Sequence, residues 1–409
     1  MMKQLCAKIK QNQAVVDKWF DEESKGIDLP FYSSFDIRNA GYKAVVIDSN
    51  AFPAGFNNVC DGSYPRAIEA SKSFISSRFP GTKNVLLLSE LTKNPYYYDN
   101  IISIKDILQR SGYEVKVGAI EMPEKTEMES FSKGAVKIGQ IRKKENRIEL
   151  EGFIPDLIVP NNDFSSSDAS ILKSSMQPIS PDINLGWYKR KKHHHFKVKN
   201  NMLRQVAELL DIDRWLIGAY YEFAEEVNFR DKKNFSMIAE KIDKCISQIK
   251  EKYSEYNIKD TPYVFVKGSA STYGMNAIPF YSGEEFLKIN SRQRAKMNKS
   301  KGGKDVSEVL IQEGVATKDV VENKVAESVV YCIGNEPIGG FFRSHQEKNE
   351  RENLNAVGMT FASSLFCPSA LEKEKIFEDS NITQDKIRLY FFLAKLGTLA
   401  IAKELEELR

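Results

Sequence analysis

The chain lacks the features that mark several common protein classes. It has no excess of one charge, since 59 Lys and Arg against 56 Asp and Glu leave a net +3 over 409 residues. No strong overall field draws such a chain to nucleic acid or to an anionic membrane, so any anion site must be local. Cysteine is scarce and unpatterned. Cys6, Cys60, Cys245, Cys332 and Cys367 are odd in number, widely spaced and without a C-x-x-C pair, which predicts free thiols in a reducing compartment rather than a disulfide frame or a zinc site. No apolar run is long enough to span a bilayer: the most apolar C-terminal stretch, IRLYFFLAKLGTLAIAKELEELR, is broken by Arg388, Lys395 and Lys403. The opening MMKQLCAKIKQNQAVVDKWF scatters charge where a signal peptide has its apolar core, and reads as an amphipathic surface helix. Internal repeats and low-complexity tracts are also missing. These absences predict a cytoplasmic globular protein that engages neither nucleic acid nor membrane, and leave homo-oligomerisation open. Its length and its 42% hydrophobic content suffice for two or three domains or lobes.

What is present is an alternation of apolar runs and helical segments. KAVVID (43–48), NVLLLSEL (84–91), EVKVGAI (114–120) and PDLIVPN (155–161) read as buried strands, and YYDNIISIKDILQRSG has helical spacing closed by Gly112. That is the pattern of βαβ units on a parallel sheet. GAVKIGQI and RIELEGF, around the polar RKKEN, read as a hairpin before the last strand, and residues 164–186 as a loop rich in Ser, Pro and Asp. MLRQVAELLDI, RWLIGAYYEFAEEV and FSMIAEKIDKCISQIKEKYSEY read as helices, the last with Ile238, Ile242, Ile246, Ile249 and Tyr253 on one core-facing stripe. Strands VFVKG, EVLIQEGV and ESVVYCIGNEPIGGFFR follow, and a helix closes the chain after Thr383. The expected fold class is α/β plus α+β: an N-terminal parallel-sheet lobe over 1–175, a helical connection over 176–258 and a C-terminal lobe over 259–409.

The chemistry begins at PYVFVKGSASTYGMNAIPF. Lys267 ends an apolar strand, and Ser269, Thr272, Tyr273 and Gly274 lie in a following loop of mostly small residues. Small residues let backbone N–H groups approach phosphate oxygens, and a lysine adds positive charge beside them. Taken alone, the same stretch also suits a polar hairpin with a solvated lysine. It is neither a Walker loop nor the dinucleotide G-x-G-x-x-G. Further on, VLIQEGV brings Gln312, Glu313 and Val315, PIGGFFRSH sets Arg343 on a strand after a glycine pair, and ERENLNAVGM groups Glu352, Asn353 and Asn355. A carboxylate with neighbouring amide oxygens is a hard-oxygen set suited to Mg2+, though an N-x-N is also ordinary loop chemistry. Arg343 could neutralise charge on a transferring phosphoryl group.

That ordered set resembles the ATP-grasp superfamily, and more closely the proteobacterial-type ATP-grasp glutamate–cysteine ligases. The resemblance is carried by FYSSFDIRNAGYKAVVIDSNAFPAGFNN (31–58), LIVPNNDFS (157–165), NLGWYKRKKHHHF (184–196), FVKGSASTYGM (265–275) and GGFFRSHQEKNERENLNAVGM (339–359). Ser271 and Asn276 stand where that family normally carries loop glycines, a change that stiffens a loop closing over nucleotide. The resemblance implies a pre-ATP-grasp-like first lobe that binds the amino acids and an ATP-grasp last lobe. It implies ATP and Mg2+ as cofactors, L-glutamate and L-cysteine as substrates, and γ-glutamyl ligation through an acyl phosphate as the first step of glutathione synthesis. Another carboxylate–amine ligase of that superfamily, or a nucleotide-binding protein that has lost activity, remain the alternatives.

In that frame Lys267 holds phosphates, Arg343 stabilises the transferring group, Glu313 and its backbone neighbours sit at the adenine edge, and Glu352, Asn353 and Asn355 hold the metal. Arg38, Asn39, Asp48, Asn50, Asn57, Asn58, Asn162 and Arg190 shape the amino-acid site; Arg38 has the planar fork that suits a carboxylate. Read from the residues alone, Asp48 and Arg38 equally suit a cap and a surface pair, and the basic run before the histidines a solvated face. Consecutive His193, His194 and His195 cannot share a helix or strand face, which argues against a metal triad. No nucleophile is assigned to Cys60.

Overall fold

A computed structural model describes the chain except residues 124, 166, 229–231, 269–277, 298–305 and 368–378. Three larger sheets organise the described residues. The central one is antiparallel, in the order Met359–Ala362, Glu336–His345, Lys324–Ile333, Tyr32–Asn39, Ala44–Asn50, with Asp319–Val321 paired to the Lys324–Ile333 strand. It therefore joins the first fifty residues to the last hundred, across both of the expected lobe boundaries. KAVVID belongs here and not to the parallel sheet. It is the second strand of a hairpin whose first strand, Tyr32–Asn39, went unread, and Gly41 at φ +82° makes the turn between them.

The central sheet has two unlike faces. Phe35, Ile37, Val330 and Phe342 are buried in one core with the closing helix Gln384–Leu408, which begins after Thr383 as expected and is capped by the Thr383 hydroxyl. At the closest approach Gly397 lies under Phe35, where a Cβ would sit 2.3 Å from the ring, so that crossing requires glycine. The other face carries Asp36, Arg38, Asp48, Glu327 and Arg343.

The parallel sheet runs Leu157–Asn161, Asn84–Ser89, Glu114–Ala119, Gly139–Gln140. Its first three strands and its helix Pro95–Arg110, ended at Gly112, follow the sequence reading. The expected hairpin of GAVKIGQI with RIELEGF does not form: Ala135–Lys137 pairs with Glu127–Glu129, Gly139–Gln140 joins the parallel sheet, and Arg147–Glu149 pairs with Arg142–Lys144 inside the expected turn.

The third sheet, here the cover sheet, runs Tyr221–Ala224, Val309–Glu313, Val264–Gly268, Ile278–Phe280. Helix Lys232–Glu255 packs on it through the predicted stripe; Ile238, Ile242, Ile246, Ile249 and Tyr253 are all buried. Burying each such side chain contributes about 2 kcal/mol relative to exposure. RWLIGAYYEFAEEV is not a helix. Asp213 caps a short 3-10 turn at Arg214–Leu216, and Tyr221–Ala224 is a strand. Gly218 opposes continued helix, and the aromatic-rich Tyr-Tyr-x-Phe suits a strand. The N-terminal helix is two helices, Met2–Gln11 and Gln13–Glu23.

Five free thiols are not what the structure shows. Cys60 and Cys367 form a disulfide across 307 positions, with Cα atoms 5.8 Å apart, while Cys6, Cys245 and Cys332 are free and buried. Sequence spacing carries no signal for so remote a pair, and cysteine usage no longer supports a reducing compartment. Among the described residues no helix is long and apolar enough to cross a membrane.

Candidate functional site

The polar face of the central sheet looks onto one face of the cover sheet. Between them the Tyr32–Asn39 and Ala44–Asn50 strands slip register: Asp36 lies opposite Asp48 but Ile37 lies opposite Val46, so Ile47 is left over as a bulge. A bulge re-aims backbone groups out of the ladder. The Ile47 carbonyl accepts from Lys267 Nζ and from Gln312 Nε2, each at 3.4 Å, and the neighbouring Val46 carbonyl accepts from Lys199 Nζ at 2.7 Å. Two lysines from different elements, one on the cover sheet and one on helix Lys192–Leu210, are thus brought together. Neither has a carboxylate partner in salt-bridge range among the described residues. Burial pushes the Lys267 ammonium down to about 8, against the pull of Asp48. Burial and the charge of Lys267 push Lys199 down to about 7.

Facing these cations are oxygens. Asp36 and Asp48 share a face, and Asn50, two residues beyond Asp48, shares it too. Burial works to raise the Asp48 carboxyl, but Lys192 and Lys267 outweigh it and hold it at about 2. Burial raises Asp36; Arg343 opposes this, while Glu327 and Asp48 add to it. Arg343 donates from Nη1 to Asp36 at 3.1 Å and to Glu327 at 3.0 Å. At the inner end Gln312 is 2% exposed, and its Oε1 has no hydrogen-bond partner among the described residues. A buried acceptor left unmade is costly and marks a place for a donor.

The residues expected to bind ligand fall into distinct groups. Lys267, Gln312, Arg343, Asp48 and Asn50 converge on this cleft. Ser269, Thr272, Tyr273 and Gly274, with Ser271 and Asn276, lie outside the described residues. Arg38 is held by Glu327 and by the carbonyls of Val315 and Glu352, so its donors are engaged inside the fold and Val315 is equally occupied. Glu313 receives Lys43 Nζ, Trp215 Nε1 and the Tyr220 N–H, so its carboxylate is engaged inside the fold and only its backbone borders the cleft.

Asn39 is tied to Asp319, Tyr390 and the Gly41 N–H, and Arg190 to Glu404 and the Ser49 carbonyl. Asn57 donates to Asn58 within a short 3-10 turn beyond the central sheet, and Asn162 bonds Ser167 and the Phe164 N–H at the end of the parallel sheet. Glu352 accepts from Lys348 and the Asn349 N–H, and Asn353 from the Asn355 N–H, so these oxygens close their own loop.

The three histidines open helix Lys192–Leu210 and diverge: His193 stacks on Phe223, His194 meets Glu407, and His195 lies between Glu404 and Ser49. Within the basic run, Lys192 pairs with Asp48 and Lys191 with Glu308, so that run is not a solvated face.

Sequence reasoning missed Lys199, Asp36 and Glu327. Asp36 sat inside a quoted motif, and its position opposite Asp48 follows only from the bulge. Lys199 looks like any lysine on a polar helix.

A family model described as glutamate-cysteine ligase matches residues 7–405. Among solved structures, the chain is similar to a protein of Methylobacillus flagellatus KT whose naming as a gamma-glutamylcysteine synthetase is itself unproven. The two share 32% identity at a TM-score of 0.89, over 99% of this chain and 96% of that one. D-alanyl-alanine synthetase A of Vibrio cholerae O1 biovar eltor str. N16961 matches at TM-score 0.35 and 12% identity, over 77% of this chain and 79% of that one, and carries no argument. No curated protein matches significantly.

Proposed function

Because the chain belongs to the glutamate–cysteine ligase family, we propose that it joins the side-chain carboxylate of L-glutamate to the amine of L-cysteine with ATP, through an acyl phosphate, in the first step of glutathione biosynthesis. The observation that carries this reading is the cleft in which two lysines, Lys199 and Lys267, without carboxylate partners in salt-bridge range among the described residues, meet at adjacent carbonyls of one bulge and face Asp36, Asp48 and Asn50.

Such cations suit the phosphates of ATP, whose charge offsets the cost of burying two ammonium groups. The unmade acceptor of Gln312 fits the amino group of adenine. Mg2+ suits Asp36, Asp48 and Asn50, a hard-oxygen set on one sheet face beside the lysines; Asp36 and Asp48 would exchange Arg343 and Lys192 for the ion, as Glu352 in the other set would exchange Lys348. When bound there, the ion would neutralise phosphate charge.

Neither half-reaction requires a protein nucleophile. The glutamate carboxylate attacks the γ-phosphorus, and the cysteine amine then displaces phosphate from the acyl phosphate. The chain's part is to align, to neutralise and to keep water out. Lys199 and Lys267 hold the phosphates, and Arg343 faces the charge that develops on the phosphoryl group. The cover sheet shields the intermediate. Asn57, Asn58 and Asn162 are left to shape the outer, amino-acid end of the cleft. ATP as a reactant supports a cytoplasmic location.

The test is phosphate release by purified protein with ATP and Mg2+, adding glutamate, cysteine, then both, with mass analysis of the product and Lys267→Ala as control. Release that needs both amino acids, yields γ-glutamylcysteine and is lost in the control upholds the reading. Release with other amino acids keeps the chemistry and changes the substrate. ATP binding without turnover under any pairing overturns it.

A further inference from the structure

Resting on that reading, we propose that Glu327 is the positioning residue for Arg343: it is the anchor that keeps the guanidinium in place when the other anchor, Asp36, is engaged by ligand.

Glu327 lies on the Lys324–Ile333 strand between two arginines. Arg343 is its direct cross-strand partner on one side, and Arg38 is the next residue beyond the Ile37–Ser328 pair on the other. Its two oxygens divide between them. Oε2 accepts from Arg38 Nε at 2.7 Å, and Oε1 accepts from Arg343 Nη1 at 3.0 Å. Glu327 is 1% exposed, Arg38 2% and Arg343 6%. Two buried guanidiniums on the strands that flank it on either side repel unless an anion lies between them, and this carboxylate sits where that anion is needed.

The two arginines differ in what else holds them. Arg38 is fixed independently by the carbonyls of Val315 and Glu352. Among the described residues Arg343 is held by carboxylates alone: Nη1 and Nη2 reach Asp36 at 3.1 and 3.2 Å, and Nη1 reaches Glu327. Three of the five N–H donors of a guanidinium are thereby engaged. Asp36 also belongs to the oxygen set facing the lysines, so it serves two partners. Glu327 serves no such second role, and it fixes Arg343 whichever partner Asp36 holds. Glu327→Gln keeps the shape, removes the charge and leaves Arg343 drawn to Asp36 alone.

The experiment is a double-mutant cycle on the glutamate- and cysteine-dependent reaction. Glu327→Gln is expected to lower kcat about 100-fold, as for loss of an aligned transition-state donor. KM for ATP, glutamate and cysteine should stay within about threefold, because ground-state binding is untouched. Glu327→Asp, which keeps the charge, should recover at least about tenfold of that loss. In the Arg343→Lys background, Glu327→Gln should lower kcat by less than about twofold, because the residue through which it acts is gone. Multiplying effects in the double variant, a loss confined to KM, or wild-type kcat in Glu327→Gln would overturn the assignment. Thermal unfolding checks folding, and if Glu327→Gln does not fold, the same cycle with Glu327→Asp decides. A wild-type enzyme that makes no γ-glutamylcysteine sinks the proposed function instead, so the two failures are distinguishable.

Discussion

Two groups of buried cations, one beside the cleft and one lining it, have opposite surroundings. Beside the cleft, Lys43 is 1% exposed, pairs with Glu313 at 2.8 Å and lies 4.0 Å from the centre of the Trp215 ring. Arg38 is likewise locked to a carboxylate, Glu327, at 2.7 Å. At the bulge, Lys199 and Lys267 donate to carbonyls, with the Phe196 ring centre 4.1 Å from Lys199 Nζ, and neither has a carboxylate in salt-bridge range among the described residues. A buried cation with a tailored anion closes the structure on itself and has nothing left to offer a ligand. A buried cation without one is a standing cost that an incoming anion removes. Residue type does not separate scaffold from site here, since both groups contain lysine. The partner separates them.

The contrast can be broken at its extremes. Lys199→Ala and Lys267→Ala should each lower kcat/KM about 10³-fold, the upper range for losing one preorganised charged donor, while the unfolding midpoint stays level or rises. If either variant instead unfolds readily at undiminished activity, the division fails. Lys43→Met should do the reverse. Leaving Glu313 buried without its cation costs about 3–5 kcal/mol, readable in denaturant unfolding, with activity of the folded fraction kept within tenfold.

A smaller effect falls on the disulfide. Reducing Cys60–Cys367, or replacing both by Ser, should remove about 2–4 kcal/mol of stability, measured as the difference between unfolding curves with and without dithiothreitol; no difference would mean the bond adds nothing in solution.

The subtlest test reads protons. The folded protein holds protons on Lys199 and Lys267 only up to about 7 and about 8, whereas the free side chain holds them to 10.5. The unfolded chain therefore binds more protons through that window, so the ligand-free protein should gain stability as pH rises through it. Phosphate charge restores the protonated forms. ATP binding near pH 8 should then take up protons, seen as a dependence of calorimetric heat on buffer ionisation enthalpy, and Lys199→Ala should take up fewer.

Much of the architecture was legible because it rests on local periodicity. The helix over Ile238–Tyr253, the first three strands of the parallel sheet and the start of the closing helix after Thr383 are each encoded within a few residues of where they act. Lys267 was legible too, because a strand running into small residues is a local event. The remainder depends on contacts remote in sequence. Tyr32–Asn39 has polar residues on one face and apolar ones on the other, and one of its two partner strands stands almost 300 positions away. Arg38 and Arg190 looked like ligand-binding forks because a sequence shows the cation and hides the carboxylate it meets, Glu327 in one case and Glu404 in the other. RWLIGAYYEF carried helical spacing by coincidence, and its glycine and aromatics decided otherwise.

The composition of the central sheet also governs how the molecule can be made. The Tyr32–Asn39 and Ala44–Asn50 hairpin leaves the ribosome early, yet its neighbouring strand, Lys324–Ile333, and the helix that covers its apolar face, Gln384–Leu408, come last. Through most of translation that hairpin has neither an edge partner nor a cover, the condition in which nascent chains aggregate or recruit chaperones. Pairings so distant along the chain also slow the search for the native state. The parallel sheet, complete by residue 161, can assemble while the hairpin waits, which makes synthesis of the C-terminal helix the event that commits the whole protein to its fold.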